Sequence, residues 1–290
     1  TQTKWTQHSL FLTTAIVVLL QQKPPIRQTG KTMKKIQNNS ILITGGGSGI
    51  GEGIAKFYVD RGAKVTVCGR RKEKVDAVAA KLGADCLAIK ADVTNEKDRR
   101  EAVKAAVEHG GKLDLLVSNA GNMLRGEIDI LEEDPLVDIF KTNVIAGMLL
   151  SGLCKPHLAR QRGAIIFVGS IHTRRAFPGA SAYAVTKGAL ETLTRVLAAE
   201  LGEHNVRVNC VVPGAVLTEI YQRAGLLSQE ESKVRLQSLA SSHALGRIGT
   251  NTEVAEAVDY LARSEWTTGA ILDVDGGLGL GITRDYNEYK

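Results

Sequence analysis

The sequence predicts an α/β protein: a single doubly wound domain on a parallel sheet of seven strands, with helices on both faces. Short β-branched runs alternate with longer amphipathic segments from Ser40 onward. The runs are nearly continuous in apolar character, as in strands covered on both sides. No repeat, low-complexity tract or Pro/Gly-rich linker divides residues 40–277, so one domain is expected there.

The elements follow in order. Strands are expected at 41–44, 65–68, 86–89, 113–117, 164–168, 206–212 and 270–274. Helical length and spacing mark 50–61, 75–82, 97–108, 135–158 and 183–201 between them. A strand followed by a helix and another strand returns parallel through a right-handed crossover, and repetition of that unit builds the doubly wound sheet.

Charge separates the ends from the body. The chain has 37 Lys and Arg against 31 Asp and Glu, a formal charge of +6 that by itself would suggest a nucleic-acid or membrane partner. Residues 1–39 hold Lys4, Lys23, Arg27, Lys31, Lys34 and Lys35 and no acid, which leaves 31 of each sign in the rest. A basic nucleic-acid-binding body is excluded, and no membrane partner is expected. The apolar run 10–20 has eleven residues, short of the ~20 that span a bilayer. Residues 1–35 are expected to be an N-terminal extension, because Met33-Lys34-Lys35-Ile36 reads as a translation start. The catalytic domain is placed at 36–277 and a C-terminal tail at 278–290. Cys68, Cys86, Cys154 and Cys210 stand far apart with no metal-ligand spacing, so a reduced, cytoplasmic protein with no metal is expected.

In doubly wound sheets ligands bind beyond the carboxyl ends of the strands. The first strand runs into Thr44-Gly45-Gly46-Gly47-Ser48-Gly49-Ile50-Gly51 and then a helix. Glycine lets backbone N–H groups approach a phosphate, and the helix N-terminus adds positive potential. Glu52 stands where a Walker loop requires Lys, so a dinucleotide site is the reading. The second strand ends in Cys68-Gly69-Arg70-Arg71, with no carboxylate for a ribose diol. A guanidinium can bind a 2′-phosphate, so NADP(H) is favoured, with Arg70 first and Arg71 second, and NAD(H) stays open.

Tyr183-Ala184-Val185-Thr186-Lys187 opens a helical pattern, and its spacing of four sets Tyr183 and Lys187 on one face. An ammonium beside a phenol lowers its pKa from ~10 and makes the pair an acid and base. Thirteen residues earlier the fifth strand ends in Gly169-Ser170, whose hydroxyl can polarise a carbonyl. Asn119 and Asn143 supply further polar groups near the strand ends.

Taken in order, the glycine loop, Asp92-Val93, Asn119-Ala120-Gly121, Asn143, Ser170, Tyr183 with Lys187, and Pro213-Gly214 resemble the short-chain dehydrogenase/reductase family over about residues 36–277. The resemblance implies a Rossmann-like fold and an NAD(P)-dependent enzyme acting on CH–OH groups. Tyr183 would be the acid/base, and Lys187 would lower its pKa and hold the nicotinamide ribose. Ser170 would orient the substrate oxygen and Asn143 would support a water-mediated proton path. Cofactor contacts would come from Gly45, Ser48, Gly49, Ile50, Gly51, Arg70, Arg71, Asp92, Val93, Asn119, Ala120, Gly121, Pro213, Gly214 and Thr218. Ser48 stands near the place where NADP-using members tend to carry a basic residue, which leaves the phosphate to Arg70 and Arg71. A homo-tetramer is also implied, through the helices that hold Asn143 and Tyr183.

The substrate wall is expected from Asn122 to Leu124, from His172, Thr173 and Arg174, and from an amphipathic lid at 216–245. The activity expected is interconversion of a secondary alcohol and a ketone. A 3-oxoacyl-thioester reductase or a sugar dehydrogenase would use the same machinery. A non-catalytic dinucleotide-binding regulator is the reading from another class, opposed by the intact set Asn143, Ser170, Tyr183 and Lys187.

Overall fold

The computed structural model describes Met33 and residues 35–281. The expected extension at 1–35 therefore lies almost wholly outside the described residues, as does the tail beyond Gly281. Seven parallel strands form one sheet in the order β3-β2-β1-β4-β5-β6-β7. They are β1 (Ser40–Thr44), β2 (Lys64–Gly69), β3 (Cys86–Lys90), β4 (Leu115–Ser118), β5 (Ala164–Val168), β6 (Arg207–Pro213) and β7 (Ile271–Val274). Each expected strand is present within two residues of its limits.

Alternation along the strands assigns the two faces. Ile41 and Ile43 of β1 join Val65 and Val67 of β2 in one core. That core is covered by α1 (Gly49–Val59), α2 (Lys72–Leu82) and α9 (Asn251–Arg263). Leu42, between the two isoleucines, points to the other core with Leu116, Ile165 and Phe167. There α3 (Glu96–Gly110), α5 (Ala146–Gln161) and α6 (Ser181–Gly202) close the layer. The period of two in side-chain direction thus puts successive residues of one strand into two cores, which is why the strands read as unbroken apolar runs. The edge strands β3 and β7 are only partly covered. All four cysteines are free and buried in these layers.

Two features depart from the expected pattern. The helix expected at 135–158 is interrupted: α4 (Glu133–Phe140) passes into a π turn, Lys141–Ile145, before α5 resumes. A π turn widens the helix locally and is enriched at functional sites, and this one holds Asn143. The run Glu133–Gln161 is apolar and long enough to cross a membrane by composition. Leu150, Cys154 and Leu158 of this run are buried under the sheet, while Val137, Ile145, Met148 and Leu149 are exposed. The segment expected as an amphipathic lid, 216–245, is divided into two short helices, α7 (Ile220–Arg223) and α8 (Gln229–Ser238), and a 3-10 turn at Ala240–Ser242.

Candidate active site

The sheet order changes direction between β1 and β4, and the ends of these two strands are stitched together there. Thr44 Oγ1 accepts from the backbone N–H groups of Asn119 (3.0 Å) and Ala120 (2.9 Å). The Asn119 side-chain amide donates to the carbonyls of Thr44 (2.9 Å) and Gly45 (3.1 Å). The glycine loop is thereby held in an open shape at the N-terminus of α1. Gly45 has φ +67°, in the left-handed region that favours glycine. At Gly51 a Cβ would lie 2.4 Å from the Gly45 carbonyl oxygen and 2.7 Å from Asn119 Nδ2, so the first turn of α1 packs directly against its own loop.

One cleft wall continues from this loop to Gly69, Arg70, Arg71 and Lys74 on one side and to Asp92, Val93, Ala120 and Gly121 on the other. Gly45, Ser48, Gly49, Ile50 and Gly121 also border the adjoining hollow, with Ser170, Tyr183, Lys187, Pro213, Gly214 and Thr218. The structure therefore brings the expected cofactor residues to one continuous groove along the carboxyl edge of the sheet, except Gly51, which is buried against Gly45 and Asn119 and does not border it. Asp92 Oδ1 accepts from the backbone N–H and hydroxyl of Thr94 (2.9 and 2.8 Å). The groove fits a nicotinamide dinucleotide in its donor set: Ser48 makes no side-chain cap to α1, so the first backbone N–H groups of that helix remain available to a phosphate. A Cβ on Gly121 would stand 3.3 Å from Asn143 Oδ1 and 3.5 Å from Lys187 Nζ, so glycine there keeps space open beside both side chains.

Ser170, Tyr183, Lys187 and Asn143 are all buried around that space. Tyr183 sits in a small third core with Met123, Ile139, Tyr221 and Leu236. Burial pushes its phenol up to about 12, while a hydrogen bond with Ser170 pulls the other way. Lys187 was expected to lower the tyrosine pKa, and here burial dominates instead. The Lys187 ammonium donates to the Val168 carbonyl (2.8 Å) and lies 5.6 Å from the centre of the Tyr183 ring. Its own pKa is lowered to about 8 by burial. Asn143 Nδ2 donates to the Asn122 carbonyl and to Thr186 Oγ1 (both 3.0 Å), and its Oδ1 accepts from Asn122 N (2.8 Å). Asn143 thus ties the π turn to the loop after β4 and to α6, and its direct bonds are to these groups rather than to Tyr183 or Lys187.

The hollow takes only part of the expected substrate wall. His172, Met123 of the 122–124 turn, and Tyr221, Leu236 and Leu239 of the 216–245 segment face it, joined by Phe177, which the sequence did not mark, while Asn122 and Leu124 do not border it. Thr173 and Arg174 turn away from it. Thr173 Oγ1 bonds Glu191 (2.5 Å), and Arg174 makes ion pairs with Glu191 (2.8 Å) and Asp273 (3.1 Å). The cause is Glu191, nearly buried on α6, which requires a compensating charge. His172 Nδ1 lies 3.1 Å from Ser170 Oγ, and its ring packs on Phe177 and edge-on to Tyr183. Burial, then Arg125 and Lys187, hold its pKa down to about 4, so the imidazole is neutral near pH 7. Leu278, at the start of the tail, also borders the hollow. Glu219 and Arg223, which also border the hollow, Arg223 donating to the Gly121 carbonyl (3.2 Å), and Glu191 were not singled out from the sequence, because a charged residue in a polar stretch carries no local mark of what it pairs with.

Comparison with known proteins bears on this groove. A family model described as "Enoyl-(Acyl carrier protein) reductase" matches residues 45–279. An L-fucose dehydrogenase from Oryctolagus cuniculus is 34% identical over 249 residues, covering 83% of this chain and 85% of that protein. A 3-oxoacyl-[acyl-carrier-protein] reductase from Homo sapiens is 34% identical over 239 residues, covering 82% and 97%. Among solved structures, a 3-ketoacyl-(acyl-carrier-protein) reductase from Brucella melitensis complexed with NADH superposes with a TM-score of 0.76 at 32% identity, over 84% of this chain and 99% of that one. The chain belongs to the short-chain dehydrogenase/reductase family. It is a nicotinamide-dinucleotide-dependent oxidoreductase acting on CH–OH groups.

Proposed function

We propose that the enzyme interconverts a secondary alcohol and a ketone with NADP(H), Tyr183 serving as acid and base. The observation that carries this reading is the convergence of Tyr183, Ser170 and Lys187 on one buried hollow beside the glycine loop. A nicotinamide bound in that groove supplies or accepts the hydride. Ser170 and Tyr183 present two hydroxyls to a carbonyl oxygen, orienting it and donating hydrogen bonds that strengthen as charge develops on it. Tyr183, held protonated by burial, delivers its proton to that oxygen in reduction. In oxidation it takes the proton back, and Lys187 stabilises the phenolate when its ammonium turns from Val168 toward the ring.

Two arginines at the end of β2 and the absence of an acid there favour NADP(H). Met123, Phe177, Tyr221, Leu236 and Leu239 give the hollow an apolar wall that favours an apolar ketone or alcohol, with Arg223 and Arg235 as basic groups on the same lining. Arg174 is paired internally, so it gives no support to recognition of an acyl carrier's phosphates. A reducing compartment suits the four buried free cysteines.

Following NADPH absorbance against a panel of ketones, diketones, acyl thioesters and aldoses tests the reading. Apolar ketones should turn over fastest. Tyr183→Phe should cost about 10²- to 10⁴-fold in kcat. Unchanged turnover in that variant refutes the proposed acid/base.

A further inference from the structure

The rim of the groove contains an anion belonging to the protein itself. Glu219, one residue after Thr218 at the base of the lid, reaches across to the loop that follows β2. Its Oε2 accepts from Arg71 Nη2 at 2.9 Å and its Oε1 accepts from Lys74 Nζ at 3.0 Å. The same Arg71 nitrogen also donates to Ser48 Oγ in the glycine loop, at 3.3 Å. These hydrogen bonds hold the Glu219 carboxylate below the usual range although partial burial works against them. Arg70, by contrast, is exposed at the edge of the same groove, with no hydrogen bond or ion pair to it among the described residues.

A guanidinium, an ammonium and a hydroxyl converging on one place are the donors a phosphate group requires, and two carboxylate oxygens already occupy two of them. The bridge also joins the start of the 216–245 segment to the N-cap and first turn of α2. A phosphate bound at Arg71 and Lys74 would compete with Glu219 for the same cations, and two anions in contact there repel each other.

We infer that Glu219 is a built-in competitor for the 2′-phosphate of the cofactor, and thereby a determinant of how strongly the enzyme discriminates NADP(H) from NAD(H). This rests on the NADP(H) reading above. When the phosphate arrives, Arg71 and Lys74 exchange partners from Glu219 to the ligand, and the lid loses its tether to α2. Discrimination is reduced by the free energy of the two ion pairs, which a dinucleotide lacking the phosphate has no need to break.

Equilibrium binding of NADPH, NADH and 2′,5′-ADP to the full chain, by calorimetry without any substrate, tests the inference. Three proteins are compared: wild type, Glu219→Gln and Glu230→Gln. The last removes the same unit of charge from an exposed turn of the same lid. Glu219→Gln should tighten NADPH and 2′,5′-ADP by roughly fivefold or more, with NADH changed less than twofold. Glu230→Gln should leave all three within about twofold. Unchanged or weaker binding of 2′,5′-ADP in Glu219→Gln overturns the inference, as does an equal gain in Glu230→Gln. The NADP(H) reading stands or falls separately, on whether the wild type binds NADPH more tightly than NADH. A wild type preferring NADH refutes that reading, while the 2′,5′-ADP comparison between variants still decides whether Glu219 blocks the anion site.

Discussion

His172 links a single titratable ring to both the chemistry and the stability of the hollow. Its Nδ1 faces Ser170 Oγ, while its Nε2 is buried without a hydrogen-bond partner. Protonation would place a charge among Phe177, Tyr183 and nearby Lys187, which is why its pKa falls to about 4. The unfolded chain takes up this proton near pH 6.5 and the folded chain only near pH 4. Between those values the unfolded state holds more protons, so stability falls as the pH falls through that window. Denaturant unfolding at pH 7 and pH 5 should show a loss of on the order of 1 kcal/mol per pH unit in the wild type. His172→Asn should flatten that slope, and an unaltered slope would show that other groups cause it. Tyr183 illustrates the same opposition of burial and pairing, since the i, i+4 spacing with Lys187 is present but the ammonium faces Val168.

At the level of elements, the glycine loop with α1 and the 171–175 segment with α6 are held by different means. The loop depends on close approach. In Gly51→Ala a methyl group would collide with the Gly45 carbonyl and the Asn119 amide, so the stitch between β1 and β4 must open. Calorimetry should show NADPH affinity reduced by more than about tenfold in that variant. The 171–175 segment depends on charge. Glu191 on α6 holds Thr173 and Arg174, and Arg174 extends the link to Asp273 on β7. Glu191→Ala leaves a largely covered guanidinium with Thr173 Oγ1 and one more exposed carboxylate, Asp273, and should cost about 2 kcal/mol in unfolding free energy. A loss below about 0.5 kcal/mol would mean that the pairing is replaced by solvent. The π turn belongs to this scale as well: periodicity identifies a helix at 135–158, but an inserted residue at Lys141–Ile145 changes which way Asn143 points without altering the apolar pattern much.

Across the whole molecule, a groove that spans the sheet couples ligand binding to global stability. A ligand that binds only the folded chain adds about 2.7 kcal/mol at a concentration one hundred times its Kd. For a domain of this size that should raise Tm by roughly 5–10 °C with NADPH, read by thermal unfolding. An equal or larger shift with NADH at the same concentration would contradict the NADP(H) preference. The architecture was legible because the two faces of each strand impose an apolar run and the crossovers impose amphipathic helices, signals that marked all seven strands and five of the helical segments but not α9 (Asn251–Arg263). The glycine loop, Ser170 and the Tyr183/Lys187 pair were legible for a related reason: each is a local pattern set by one strand end or one helix turn. The sequence by itself therefore determined the fold, the groove's position at the strand ends and the residues that border it. Tertiary structure alone decided that Arg174 turns to Glu191, that Arg71 and Lys74 meet Glu219, and that Phe177 joins Met123, Tyr221 and Leu236 on one wall. These are contacts between residues 17 to 148 positions apart, made by side chains whose own neighbourhoods are ordinary polar or apolar stretches. A charge or an apolar side chain declares its type in the sequence, but its partner is fixed only when the sheet and lid bring separate segments together.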